Sequence, residues 1–191
     1  MSTQVLRPAA SVLIAFSLLL GVGYPLVITG IARLAFPSQA AGSLVQENGR
    51  IVGSRLIGQA FSDPRYFWGR PSATAPKPYN GIASTGSNLG PLNPALLDQV
   101  RANAKVLRDA DPGNTQPIPV DVVSASASGL DPEISPAAAL YQVPRIARAR
   151  GLAVAQVEAL VRAHQQGSLL GFIGEPRVNV LELNLALDRA R

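Results

Sequence analysis

The stretch PAASVLIAFSLLLGVGYPLVITGIA, residues 8–32, carries no charged side chain. About 25 residues at ~1.5 Å each make a helix of ~37 Å, longer than a ~30 Å hydrocarbon core. A cleavable leader has a shorter apolar centre and more basic residues ahead of it, although PSQA near Gln39 could pass as a small-residue cleavage site. The length favours an uncleaved anchor. The chain is therefore read as a short tail (1–8), a transmembrane helix (9–35) and a soluble domain (36–191).

Within the anchor, Ser17 and Gly21 stand four residues apart and share a face where another backbone can approach closely. Tyr24 lies further along, and Pro25 has no N–H for the carbonyl of Gly21. A phenol and a freed carbonyl in lipid call for a protein neighbour, so these four residues are candidate partner contacts. The alternative is a kinked anchor with Tyr24 at the interface, where tyrosine is common. Arg7 and Arg33 flank the two ends and leave the orientation open.

Beyond the anchor there is enough chain for one domain with a core. The absence of cysteine excludes disulfides, thiolate metal sites and a lipid-modified cysteine. The formal charge is +5, and all but two of the seventeen basic residues are arginine. They are scattered apart from RIARAR (145–150), and aromatics are sparse. A spread of solvated arginines is the reading, and nucleic acid is not expected as a partner.

The domain reads as mixed α+β. Asn48-Gly49 between two short apolar runs predicts a hairpin. The adjacent Tyr66, Phe67 and Trp68 are read as core, with a partner-facing Trp68 as the alternative. Asn93-Pro94 predicts a helix start, with Leu96, Leu97, Val100, Ala104 and Leu107 on its apolar face and Asp111-Pro112 as its stop. PIPVDVV (117–123) alternates like a strand. Ser135-Pro136 opens another helix, interrupted by a kink or fresh start at Pro144 and ending at Gly151. A further helix is expected from Val154 to about Gln166, closed by Gly167. The tail predicts a short strand to about Val178 and then a helix capped by Asn179, with Glu182 as reciprocal acid. The run around GSNLGPLNP (86–94) has a linker's composition. Leu89 and Leu92 as apolar pins, and the length of the run, argue instead for an ordered loop.

Catalytic constellations are hard to find. The lone His164 sits at a helix end, and the acidic residues show no metal-ligand clustering. A phosphate-cradling loop is absent, as are the Asp-Lys-Thr-Gly run of aspartyl-phosphate pumps and the Ser-x-x-Lys pattern. No cofactor is expected to bind the chain by itself. A non-catalytic binding or assembly subunit fits better than an autonomous enzyme.

Several segments together resemble one family, the C subunit of the Kdp-type potassium-transporting ATPase. They are YPL (24–26), FPSQAAGSL (36–44), GSRLIGQAF (53–61), YF, RPSA (70–73), YN (79–80) and GSNL (86–89). NP, SASASGLDPEISPAAA (124–139), QVPRIARAR (142–150) and GEPRVNVLELNLALD (174–188) follow in the family's order. The resemblance implies an inner-membrane protein with one span and an extracytoplasmic domain. It implies three partners: a channel-like potassium-translocating subunit, a P-type ATP-hydrolysing subunit and a small fourth subunit. ATP and potassium then belong to the complex, and the subunit serves assembly and, as a catalytic chaperone, raises ATP affinity.

On the same basis Gln142 matches a position tied to nucleotide, and Arg70, Tyr79, Asn80, Ser87 and Asn88 are candidate partner contacts. A domain outside the cell cannot touch ATP inside it, so any such effect has to cross the bilayer as a coupling between states. The residue-level alternative for Gln142 is a hydrogen bond to the backbone freed by Pro144. Three positions depart from the family: Thr85 replaces a glycine, Glu133 stands for His or Asn, and Ala41 for Asn. A competing reading is a stand-alone anchored extracytoplasmic enzyme or binding module, which would need a pocket of convergent polar groups.

Overall fold

The computed structural model describes residues 3–190, so Met1 and Ser2 of the expected tail and Arg191 lie outside the described residues. The chain divides into two compact units, one ending at Ile51 and the other beginning at Val52.

In the first unit, α1 (Thr3–Leu18) runs through a five-residue π-helical segment (Leu19–Gly23) into α2 (Tyr24–Ala35). The helix thus starts ahead of residue 9, with Arg7 and Pro8 inside it. Gln4–Ala35 forms 32 residues long and apolar enough to cross a membrane. The widened turn lies directly before Pro25, and Tyr24 N donates five residues back to Leu19 O. A proline ring collides with the carbonyl four residues earlier, and π widening relieves that collision. A short helix α3 (Pro37–Ala40) follows. Strands β1 (Leu44–Glu47) and β2 (Arg50–Ser54) then form the expected hairpin. Its turn residues Asn48 and Gly49 have φ of +51° and +75°, the conformation that favours these residue types.

The second unit is built from helices around a small antiparallel sheet. Strand β5 (Arg177–Asn179) lies between β3 (Glu133–Ile134) and β4 (Gln165–Gln166), with Ile134 and Gln165 both paired to Val178. Helices α5 (Pro136–Arg150), α6 (Val154–His164) and α7 (Val180–Arg189) supply most of the core. Ile146, Val157, Leu183 and Leu187 are fully buried. Helix α5 is buried on nearly every side, and Ala138, Ala139 and Ala147 let its neighbours approach closely.

Local capping rules set the helix ends. Asn93 Oδ1 accepts from Ala95 N at the start of α4 (Pro94–Ala110), Ser135 Oγ from Ala138 N, and Asn179 Oδ1 from Glu182 N. Gly151, at φ +67°, ends α5, with Leu152 N donating to Ala147 O at 2.9 Å.

Several expectations are corrected. PIPVDVV is not a strand: Val120–Val122 form one 3-10 turn, and Val122 and Val123 are both buried, which alternation forbids. The prolines at 117 and 119 also withhold the N–H groups a ladder needs. Helix α5 continues through Pro144 to Arg150, which rules out the fresh start there. Helix α6 stops at His164, because Gln165 and Gln166 pair with β5 instead. Leu97 is exposed, and the inward stripe of α4 passes through Leu96, Val100, Ala104 and Leu107. Glu182 does not reciprocate to Asn179; its carboxylate meets Arg55 Nε at 2.7 Å.

Candidate functional site

After a turn at residues 63–66 the chain passes α5 and α7, and two amide side chains hold Phe67 and Trp68 as a neighbouring strand would. Gln142 of α5 accepts from Trp68 N at 2.8 Å and donates to Trp68 O at 3.0 Å. Asn184 of α7 does the same for Phe67, at 2.8 and 3.0 Å. A side-chain amide presents one acceptor beside donors, so it can satisfy both polar groups of a single residue. Phe67 can then point into the core with 0 % exposure and no orphaned backbone.

Gln142 has no hydrogen-bonding capacity left over. Its second N–H goes to Ala138 O at 3.2 Å, and its oxygen also accepts from Arg145 Nη2 at 2.7 Å. These partners differ from the expected one, the Leu140 carbonyl that Pro144 leaves without a donor. Arg145, 3 % exposed, donates further to Pro64 O and to Tyr66 O at 3.1 Å. Its guanidinium lies 4.2 Å over the Trp68 ring. Burial without a contacting carboxylate pulls the Arg145 pKa down to about 10.

Within RIARAR, Arg145 and Arg150 are structural and the solvated reading is corrected for these two, while the Arg148 side chain stays 62 % exposed. Arg148 Nη2 meets the buried Asp111 Oδ1 at 2.6 Å. Arg150 pairs with Asp188 at 2.7 Å and stacks 4.7 Å over Tyr66, whose hydroxyl also donates to Asp188. Trp68 is part of this arrangement, with its Nε1 donating to Asp63 O. Beside it opens a cleft of about 260 Å³ lined by Phe61, Val106, Leu107 and Val122.

A second cluster gathers Arg70, Tyr79 and Asn80. Arg70 Nη1 meets Asp131 Oδ2 at 3.0 Å. Tyr79, at φ +55°, donates its hydroxyl to Arg70 O at 2.6 Å. A Cβ at Gly69 would lie 2.6 Å from the Tyr79 hydroxyl, so a side chain there would have to push the phenol off Arg70 O. Burial first, then the Asp131 charge, pushes the Tyr79 phenol up to about 12. Asn80 is 8 % exposed; its N–H meets Thr74 Oγ1, and its side chain donates to Ala75 O. Ser72 ties this loop to Gly129 O at 2.7 Å.

The GSNLGPLNP run is held at its start by Gly86 and at its end by Asn93, the cap of α4. Gly86 packs so closely that a Cβ would lie 2.7 Å from Ala127 O, and Thr85 N donates to Ser128 O. Thr85 does not take a positive φ, so its replacement of glycine brings no left-handed strain. Asn88 does, at φ +51°, and is exposed, while Ser87 is half-buried. The expectation that Leu92 pins the loop is corrected: it is 97 % exposed. Glu133, one of the departures, pairs with Arg177 at 2.9 Å on the edge of a charged cleft that also holds Asp121 and Glu175. Among the described residues no group of His, Asp or Glu side chains is placed to hold a metal ion.

The nominated residues thus fall into separate groups. Ser17, Gly21, Tyr24 and Pro25 are exposed on the first unit's helix, and a Cβ at Gly21 would meet nothing within 4 Å. Arg70, Tyr79, Asn80 and Gln142 are turned into the domain, and Ser87 and Asn88 lie towards its surface. Sequence reasoning missed Asn184, the partner of Gln142's role. It also passed over the exposed run Leu169–Ile173, whose apolar composition looks like core.

These features define a class: a mixed helix-and-strand domain carried on an N-terminal helix able to span a membrane. The family model "K+-transporting ATPase, c chain" matches residues 6–189, both units included. The chain is 64% identical over 185 residues to the potassium-transporting ATPase KdpC subunit of Variovorax paradoxus, covering 97% of this chain and 96% of that one. It is 58% identical to the protein of that name from Methylococcus capsulatus, over 97% of both chains. For the one from Sorangium cellulosum the identity is 62%, over 97% of this chain and 98% of that one. The chain belongs to the KdpC family.

Proposed function

We propose that the chain is an accessory subunit of an ATP-driven potassium import complex, acting in its assembly and stabilisation. The observation that carries this is the end-to-end match: the family model spans anchor and domain alike, so the whole architecture is that of the c chain. The helix would sit in an inner membrane and the domain on the extracytoplasmic side. The partners are a channel-like potassium-translocating subunit, a P-type ATP-hydrolysing subunit and a small fourth subunit.

The side-chain chemistry supports a body that docks rather than reacts. The polar residues of the family-like segments are spent on holding their own backbone, as Gln142, Asn184, Arg145 and Tyr79 illustrate. The exposed face of the anchor keeps Ser17, Gly21 and Tyr24 free to meet another helix. If the subunit raises ATP affinity as a catalytic chaperone, it does so by favouring one conformation of the assembled pump. Gln142 would contribute by fixing the Trp68 segment, with its amide already saturated inside the chain.

Co-expression with the other subunits and affinity capture in mild detergent tests the reading. The chain should be retained stoichiometrically, and Gly21→Leu should weaken retention without unfolding the domain. A chain that stays monomeric beside its co-expressed partners refutes the proposal.

A further inference from the structure

Between β4 and β5 the chain makes a closed loop, GSLLGFIG (167–174), with no charged residue. Leu169 N donates to Ile173 O at 2.8 Å, and Ile173 N to Leu169 O at 2.9 Å. Leu170 and Gly171 at the tip have φ of +54° and +82°. The loop is thus fixed by its own backbone, and its side chains face away from the core. Leu170 and Phe172 are each 77 % exposed, Leu169 65 % and Ile173 48 %. A single exposed leucine needs no explanation, but four large apolar side chains within five positions do. A leucine at positive φ is also unfavourable, so the fold keeps this presentation at some cost.

We propose that this loop inserts into the boundary between headgroups and acyl chains of the membrane that holds the anchor. Three observations favour lipid. The chain carries a helix able to span a bilayer, so the loop meets the surface at the high effective concentration of a tethered group. From Gln165 to Gly174 there is no charge to desolvate. The four side chains spread from one tight turn, a shape that suits a deformable phase better than a preformed pocket. Phenylalanine and leucine at a loop tip are what interfacial burial rewards. The inference stands on the chain alone and does not depend on the subunit reading.

The chain has no cysteine, so Phe172→Cys gives a unique site for a nitroxide spin label, with Ala95→Cys on the exposed start of α4 as control. The full chain, without other subunits, is placed in phosphatidylcholine nanodiscs, and label accessibility to oxygen and to a water-soluble nickel complex is measured. The oxygen-to-nickel ratio should be several-fold higher at 172 than at 95. Adding Leu170→Asp, an exposed change that leaves the core untouched, should bring it down towards the control. Equal ratios at the two sites overturn the proposal. So does a label at 172 that becomes shielded only when the other subunits are added, because the loop is then a protein contact.

Discussion

Replacing Gln142 by methionine isolates what its amide does, because the volume of the side chain is nearly kept. A volume-conserving apolar swap in a core costs less than about 1.5 kcal/mol by packing alone. Here it would also strip Trp68 N, Trp68 O and one Arg145 N–H of their partner at a site 1 % exposed. A buried polar group left unpaired costs about 1–3 kcal/mol, and partial relaxation of three neighbouring groups brings the expected loss to about 3–5 kcal/mol. Stability of a domain is about 5–15 kcal/mol, so the effect is large. With a urea dependence of about 2 kcal/mol per molar, the midpoint should fall by about 2 M. Unfolding of the full chain in mild detergent can be followed by the fluorescence of Trp68, the chain's one tryptophan and the residue Gln142 holds. A midpoint shift below about 0.5 M would refute the clamp and return Gln142 to a role in contact with a ligand.

The companion change Asn184→Leu should cost about 2–4 kcal/mol by orphaning Phe67 N and O in the same urea assay. Combined with Gln142→Met it should fall short of additivity, since both clamp adjacent residues. Gly86→Ala should cost about 1–3 kcal/mol, because its Cβ would lie 2.7 Å from Ala127 O; an unchanged thermal midpoint contradicts that close approach. The Tyr79 phenol is raised from 10.0 to about 12, so its stabilisation is intact below pH 10 and lost as pH climbs through about 12. Tyr79→Phe should move alkaline unfolding, read by phenolate absorbance and circular dichroism, to higher pH. Asp63, held down to about 2 chiefly by the Arg65 guanidinium, contributes stability present above pH 3.8 and lost as pH falls through about 2. Asp63→Asn should therefore differ from the parent near neutrality, slightly because the pair is exposed, and converge with it in strong acid.

The second unit resists division into a scaffold and a reactive site, and the arginines show why. In sequence they look like dispersed solvated charge. In the fold, Arg145 ties α5 to the backbone at Pro64 and Tyr66, and Arg150 ties it to α7 through Asp188. Arginine suits this because a planar fork of donors can satisfy several carbonyls at once while its stem packs on aromatic rings. A lysine at 145 could not both bridge those carbonyls and lie flat over Trp68.

Features governed by short-range rules were legible in the sequence. The long N-terminal helix able to span a membrane follows from the length of an uncharged run, and the hairpin from Asn48-Gly49. The helix starts follow from Asn93, Ser135 and Asn179, whose side chains bond two or three residues ahead. The family followed from colinear segments. What the sequence withheld depends on partners far along the chain. Gln142 meets Trp68 across 74 residues, and Asn184 meets Phe67 across 117. The same distance hid the fate of PIPVDVV, where Asp121 is used to hold Ser135 N at 2.7 Å and both Val122 and Val123 are drawn inward. It hid the exposure of Leu169–Ile173, since apolar composition says that a segment avoids water but not whether the domain has room for it. Periodicity and capping report a residue's neighbours along the chain. Only the tertiary structure decides which backbone a buried amide must satisfy, because that burial is created by the fold itself.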